Sequence, residues 1–218
     1  MNEDPPPKDL VILAADKNIE YGLRGLLERK ESLGIRAIEY DLYVHSQKDP
    51  GCLRRAHDFL RPFHRKYERA LVVFDREGSG KEDTSREELQ REVSGRLKKN
   101  GWGERAATVV LDPELEIWAW SESQAVDKVI GWAGLAPTLR ERLVSEGFLQ
   151  QGAVKPIRPK ESLEWALEVS KKARSSSLYR QLAGVIPLAS CTDASFQLLR
   201  STLQAWFPPL GAAKRHRK

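Results

Sequence analysis

Residues 70–80 read Ala-Leu-Val-Val-Phe-Asp-Arg-Glu-Gly-Ser-Gly: five apolar residues in a row, then two carboxylates around an arginine, then a glycine-rich turn. An apolar run of this length with no polar alternation reads as a strand covered on both faces, the situation of a strand inside a parallel sheet. Leu10 to Ala15 and Ala106 to Leu111 are runs of the same kind, and Ile35 to His45 is strand-like. Between these stretches the apolar residues recur at helical spacing. Ile19, Leu23, Leu26 and Leu27 form one face that Gly34 ends, and Leu53, Ala56, Phe59, Leu60, Phe63 and Tyr67 form a second. Leu89, Val93 and Leu97 form a third, opened by Ser85 and Glu88 as a capping box. Strands alternating with helices predict an α/β protein with a mostly parallel four-stranded sheet flanked by helices and right-handed crossovers.

After Trp118 no strong strand pattern remains. The spacing predicts helices over about 123–132, 137–146, 161–173, 176–184 and 193–207, the last with Asp193 as N-cap and Phe196, Leu199, Leu203 and Trp206 on one face. The expected organisation is a loose proline-rich tail over 1–9, an α/β domain over 10–120, a helical C-terminal part over 121–207 and a basic tail over 208–218.

The chain has 218 residues, 40% hydrophobic and 31% charged, which suits a globular fold able to bury a core without staples. It contains no run of about 18 apolar residues, so no membrane span is expected. The segment Met1 to Lys8 lacks the basic-then-apolar order of a signal peptide. Only two cysteines occur, Cys52 and Cys191, which fits a reducing cytoplasm and gives no zinc spacing. The formal charge of +5 permits contact with DNA or RNA without establishing it.

The chemistry-bearing residues follow the strands. The first strand ends at Asp16, with Glu20 four residues on; the third ends in Asp75-Arg76-Glu77; the fourth ends in Asp112-Pro113-Glu114-Leu115-Glu116. In a parallel sheet the residues past the carboxyl ends gather along one edge, where ligands bind. Crowded carboxylates repel unless basic groups, protons or a cation intervene. Hard oxygen ligands suit Mg²⁺ or Mn²⁺, which can position a phosphodiester and activate water. The expected metal ligands are therefore Asp16, Glu20, Asp75, Glu77, Asp112, Glu114 and Glu116, with Glu20, Asp75 and Glu77 as catalytic candidates. The plainer alternative is capping: Asp16 for the helix after it, and Asp112 for a helix opened by Pro113. Pairing of Arg76 or Lys17 with these acids would favour a non-catalytic role.

A strand followed by an acid, then a strand ending in Asp-x-Asp or a close variant, resembles the Toprim domain of topoisomerases, primases and certain nucleases. Asp16 or Glu20 would match the first acid, and Asp75 with Glu77 the pair. The stretches Leu71 to Gly80 and Val109 to Trp120, with Pro156 to Leu163, Ser177-Leu178-Tyr179 and Thr192 to Phe207, resemble the Toprim-like small-subunit family of bacterial defence islands, above all that of the methylation-associated defence system. That resemblance covers nearly the whole chain. It implies an antiphage role, a nuclease-like fold and other subunits of the defence system as partners. The pattern departs from the usual Toprim one: Asp16 stands where Glu is usual, and Glu77 where the second Asp is usual. Two functions stay open on the sequence: metal-dependent cleavage of nucleic acid, and a non-catalytic adaptor or regulatory subunit.

Other motifs are weaker. Gly78-Ser79-Gly80-Lys81 is not a P-loop, since Asp75 and Glu82 stand where Gly and Ser or Thr are needed. His45 reads as a structural histidine. His57 and His64, with Arg54, Arg61 and Arg65, mark either a solvated helix face or a phosphate-contacting one. The tryptophans, among them Trp118 and Trp120, read as core before base-stacking groups.

Overall fold

Four strands, three of them built on unbroken apolar runs, assemble side by side in a computed structural model that describes residues 6–121 and 123–209. They are β1 (Lys8–Ala14), β2 (Tyr40–Val44), β3 (Tyr67–Asp75) and β4 (Ala106–Leu111), all parallel, in the order β2-β1-β3-β4. Residues Leu10 to Ala15 and Ala70 to Phe74 are almost completely buried, as their uninterrupted apolar character requires.

The crossover helices are α1 (Lys17–Leu27) with the short α2 (Lys30–Leu33), α3 (Lys48–Leu60) and α4 (Arg86–Leu97). Right-handed connections place α1 on one face and both α3 and α4 on the other. Accordingly α3 packs on β1, β3 and α4, while α4 packs on β4. Gly34 ends α2 in the left-handed conformation, and Ser85 with Glu88 forms the expected capping box at α4.

Two elements differ from their sequence pattern. Tyr67, which continues the helical spacing of Leu53 to Phe63, begins β3, because a 3-10 turn at Arg61–Phe63 ends the helix and starts the return to the sheet. Ordered pairing starts at Lys8, inside the expected tail, where Asp9 takes an ion pair from Arg36 at 2.5 Å. The segments 1–5 and 210–218, including the basic tail, lie outside the described residues.

The C-terminal helices are α5 (Gln124–Ile130), α6 (Leu139–Ser145), α7 (Pro159–Val169), α8 (Ser176–Val185) and α9 (Ala194–Trp206). Helix α8 lies along α1, and α9 lies against β4 and α2, so both join the α1 layer. Arg29 donates to the carbonyls of Ala183 and Ile186, both at 2.8 Å, which satisfies the C-terminal end of α8. Gln204 donates to the Leu33 carbonyl at 2.6 Å, and Arg69 of β3 covers the Trp206 ring. Asp193 caps α9 through Ser195 and Phe196, as its position predicts.

The α1–α8 crossing depends on Gly25, where a Cβ would stand 2.5 Å from the Arg180 carbonyl oxygen and 3.0 Å from Ala183 Cβ. Gly25→Val should lose about 2–3 kcal/mol, as overpacking does. Gly184→Ala, in α8 with open space around it, should gain up to about 1 kcal/mol from helix propensity. Equal urea midpoints for the two variants would refute this account of the crossing.

Candidate functional site at the sheet edge

The chain leaves β1 toward β2 and leaves β3 toward β4, so the topology reverses between β1 and β3. The crevice beyond the carboxyl ends of those two strands is where open α/β sheets bind ligands. Asp16 follows β1 and Asp75 ends β3, so these two carboxylates flank the reversal.

Asp75 is the central group. Its Oδ1 is closed off from solvent and has no hydrogen-bond partner among the described residues. Burial pushes its carboxyl well above the usual range, and the charges of Asp49, Glu116, Asp16 and Glu114 push it the same way. Asp49, in the first turn of α3, accepts the Asp75 backbone N–H through Oδ1 at 2.8 Å. Burial raises the Asp49 carboxyl too, with Asp16 adding to the effect. Asp16 caps α1 by accepting from the Ile19 N–H at 2.9 Å, so the capping role is real and coexists with its place at the crevice.

The remaining acids separate by partner. Glu114 is buried, accepts the Lys160 N–H at 2.9 Å and lies 3.8 Å from Lys160 Nζ. Burial first, then the Glu116 charge, raises its carboxyl to about 7. Glu116 is held by Arg174 at 3.1 Å and the Tyr179 hydroxyl at 2.5 Å, which ties α8 to the segment after β4. Glu20 sits between Lys17 and Arg24, at 2.6 and 3.0 Å. Asp112 lies 2.9 Å from Arg76 Nε. Glu77 is exposed, unlike its neighbour Asp75, because the chain turns at once: the Ser79 N–H donates to the Arg76 carbonyl. No helix opens at Pro113; the turn that forms is a 3-10 one at Leu115–Trp118, preceded by Glu114.

Both Lys17 and Arg76 thus pair with acids of the expected set, which neutralises Glu20 and Asp112. Asp16, Asp49 and Asp75 form no ion pair with the described residues. Among the described residues no three His, Cys, Asp or Glu side chains are placed to hold one metal ion directly. Mg²⁺ commonly takes only one or two carboxylates and completes its shell with water and phosphate oxygens. A crevice offering a buried, unpartnered carboxylate oxygen beside a second carboxylate fits that habit.

Asp49 escaped the sequence pattern because Asp-Pro-Gly reads as a turn, and because the apolar face of its helix begins only at Leu53. The signal was present: an acid follows the second strand as well as the first, third and fourth. His45 is a buried neutral ring whose Nδ1 accepts the Gln47 N–H at 3.0 Å, and burial lowers its pKa. The indole N–H groups of Trp118, Trp120 and Trp132 donate to Ser195, Pro159 and Pro137 within the fold. Searches for a matching family, a matching curated protein and a matching solved structure each find none.

A carboxyl raised in the folded state stabilises the fold below its unfolded pKa and loses that contribution as pH rises through the folded value. For Glu114 the window runs from its ordinary 4.5 to about 7. In chelator the urea midpoint should fall across that window, and Glu114→Gln should flatten the fall. A midpoint of the wild-type protein that stays level from pH 4.5 to 7 would contradict the burial of this group.

Proposed function

We propose that this chain is a Toprim-like component of a bacterial antiphage defence system, whose sheet edge takes Mg²⁺ or Mn²⁺ and acts on a phosphodiester of nucleic acid. The observation that carries the metal reading is the buried, unpartnered Oδ1 of Asp75 at the topological reversal, with Asp49 against it. The antiphage reading rests on the resemblance carried by Leu71 to Gly80 and Val109 to Trp120.

Asp75 and Asp49 are the residues that would hold the ion, with water and phosphate oxygens completing its shell and Asp16 and Glu114 adding negative charge nearby. Bound there, the cation would supply charge neutralisation and polarise a phosphoryl oxygen. Glu114, titrating at about 7, is able to keep or release a proton near neutral pH, which is what a general acid or base needs. Lys160, donating to Glu114 from the start of α7, brings a positive charge to the same edge.

A second reading, an adaptor that binds larger defence subunits, is favoured by one specific feature. Arg24, Lys17, Arg76 and Arg174 already satisfy Glu20, Asp112 and Glu116, so much of the acidic set serves the fold. Val154 and Ile157, 54% and 63% exposed on the helical part, give such a partner apolar surface. No helix among the described residues is long and apolar enough to cross a membrane.

Calorimetric titration with Mg²⁺ and with Mn²⁺ separates the two. Wild type should bind, and Asp75→Ala or Asp49→Ala should weaken binding at least about tenfold, the loss of one charge-assisted contact. Glu20→Ala should leave binding unchanged, since that carboxylate is paired elsewhere. Absence of binding by wild type, with a stable partner recovered from cells carrying the whole operon, would give the function to the adaptor.

A further inference from the structure

Most of the net positive charge of the described chain lies on one segment. Between Lys48 and Lys66 there are six Lys or Arg against two Asp, a net +4, whereas the whole chain carries +5. Four of that +5 belong to the tail Lys214 to Lys218, and Glu3, Asp4 and Glu122 also lie outside the described residues, so the described residues carry a net +4 and those outside this segment are neutral in sum. Arg54, Arg61, Arg65 and Lys66 are all exposed and make no side-chain hydrogen bond, ion pair or ring contact with the described residues. Arg54 and Arg61 are seven residues apart, two helical turns, so they lie on one stripe about 10 Å long. His57 falls on the same stripe, and His64 lies in the turn past the end of α3, where a Cβ at Gly101 would stand 3.6 Å from its ring.

The stripe leads to the acidic edge. Arg54 Nη2 would stand 3.1 Å from a Cβ at Gly80, and Asp49 Oδ2 would stand 3.8 Å from one at Gly78. The loop between them is an anion cradle. Gly78 and Gly80 both have positive φ, and their N–H groups converge on Glu82 Oε1, each at 3.0 Å. Successive N–H groups turned inward in this way form concavities that take phosphate elsewhere. Here a carboxylate of the chain itself fills the cradle, with Arg76 donating to the Glu82 carbonyl.

We infer that the exposed surface of α3 and the turn that follows it, from Arg65 through Arg61 and Arg54 to the Gly78–Gly80 cradle, binds the phosphate backbone of duplex DNA, and that Glu82 occupies the place of a phosphate when DNA is absent. The inference deepens the proposed function and rests on it for the phosphodiester chemistry, but the surface itself follows from charge and geometry. Duplex is favoured over single strands because the stripe offers cations without free aromatic platforms. The indole N–H groups of Trp118, Trp120 and Trp132 are engaged inside the fold, and Trp102 is fully buried. Binding by stacked bases needs such platforms, whereas backbone contact with a duplex needs only the cations. Recognition would be independent of sequence.

The test is fluorescence anisotropy of a labelled 24-base-pair duplex of mixed sequence, in EDTA, across about 50–200 mM salt. The full-length protein is compared with Arg54→Ala/Arg61→Ala/Arg65→Ala, with Glu82→Ala and with a chain lacking residues 210–218. The triple variant should bind at least about tenfold more weakly, and the slope of log K against log salt should fall by about 2.7, three phosphate contacts. Glu82→Ala should bind severalfold more tightly, because the competing carboxylate is gone. An unchanged affinity and slope in the triple variant, loss of binding only on removal of the tail, or tighter binding of the corresponding single strand would each overturn the inference. Unchanged or weaker binding by Glu82→Ala would overturn the cradle's part in it. Since no metal is present, DNA binding that maps to α3 without cleavage on adding Mg²⁺ would uphold this surface while ending the catalytic reading.

Discussion

A parallel sheet must be covered on both faces, because its strands are apolar on both, and right-handed crossovers decide which helices do the covering. With the order β2-β1-β3-β4, the connections β2–β3 and β3–β4 both run in one direction and leave α3 and α4 on the same face. Only α1 and α2 fall on the other. Beneath β3 and β4 that second face has no crossover helix of its own, and α9, lying on β4 with Trp206 near β3, covers it. The helical C-terminal part is therefore a requirement of the sheet. Gly25 lets α8 approach α1 closely enough to complete the layer.

The same packing shapes the chemistry of the edge. Bringing α7 and α8 over the segment after β4 buries Glu114 and Glu116, and Glu116 becomes the anchor through Arg174 and Tyr179. Asp75, whose Oδ1 is closed off from solvent, receives no cation from the described parts of these helices. Its neighbours Asp49 and Asp16 arrive from the β2–α3 and β1–α1 turns, both obliged by the parallel topology to lie at this end. Gathering these carboxylates costs free energy, through burial first and mutual repulsion second. The fold retains this repulsion where simple replacement by an amide would remove it, and such retained cost is characteristic of functional sites.

Strands β1, β3 and β4 were legible because each holds an unbroken apolar run, and the α/β alternation followed from them. The ends of β2 and α3 were not, since β2 is an edge strand with every residue half-buried, and the helical spacing ran through Phe63 into Tyr67. At the site, the location of Asp16, Asp75 and Glu114 at one edge followed from topology alone. Sequence spacing could not tell which acids would be paired. Lys17 and Arg24 reach Glu20 by the geometry of one helix, but Arg174 reaches Glu116 across 58 residues. Asp49 was hidden inside a turn-like Asp-Pro-Gly, although the rule that exposed the other acids applies to it equally.

An acidic crevice and a polyanionic ligand are electrostatically opposed, and the distribution of charge resolves the conflict in space. The carboxylates are gathered behind the Gly78–Gly80 loop, with Asp75 held above the usual carboxylate range by burial and then by its neighbours' charges, while Arg54 on α3 and Arg61 and Arg65 just past its end stand exposed on the outer surface. A phosphate backbone drawn to α3 would meet cations first and the acids last, separated by a loop that already holds an anion. A divalent cation at Asp75 would then change the sign of the last few ångströms, converting repulsion of the phosphate into attraction. Attraction at the helix and neutralisation at the crevice are separable steps: the first needs only this chain's arginines, and the second needs the ion.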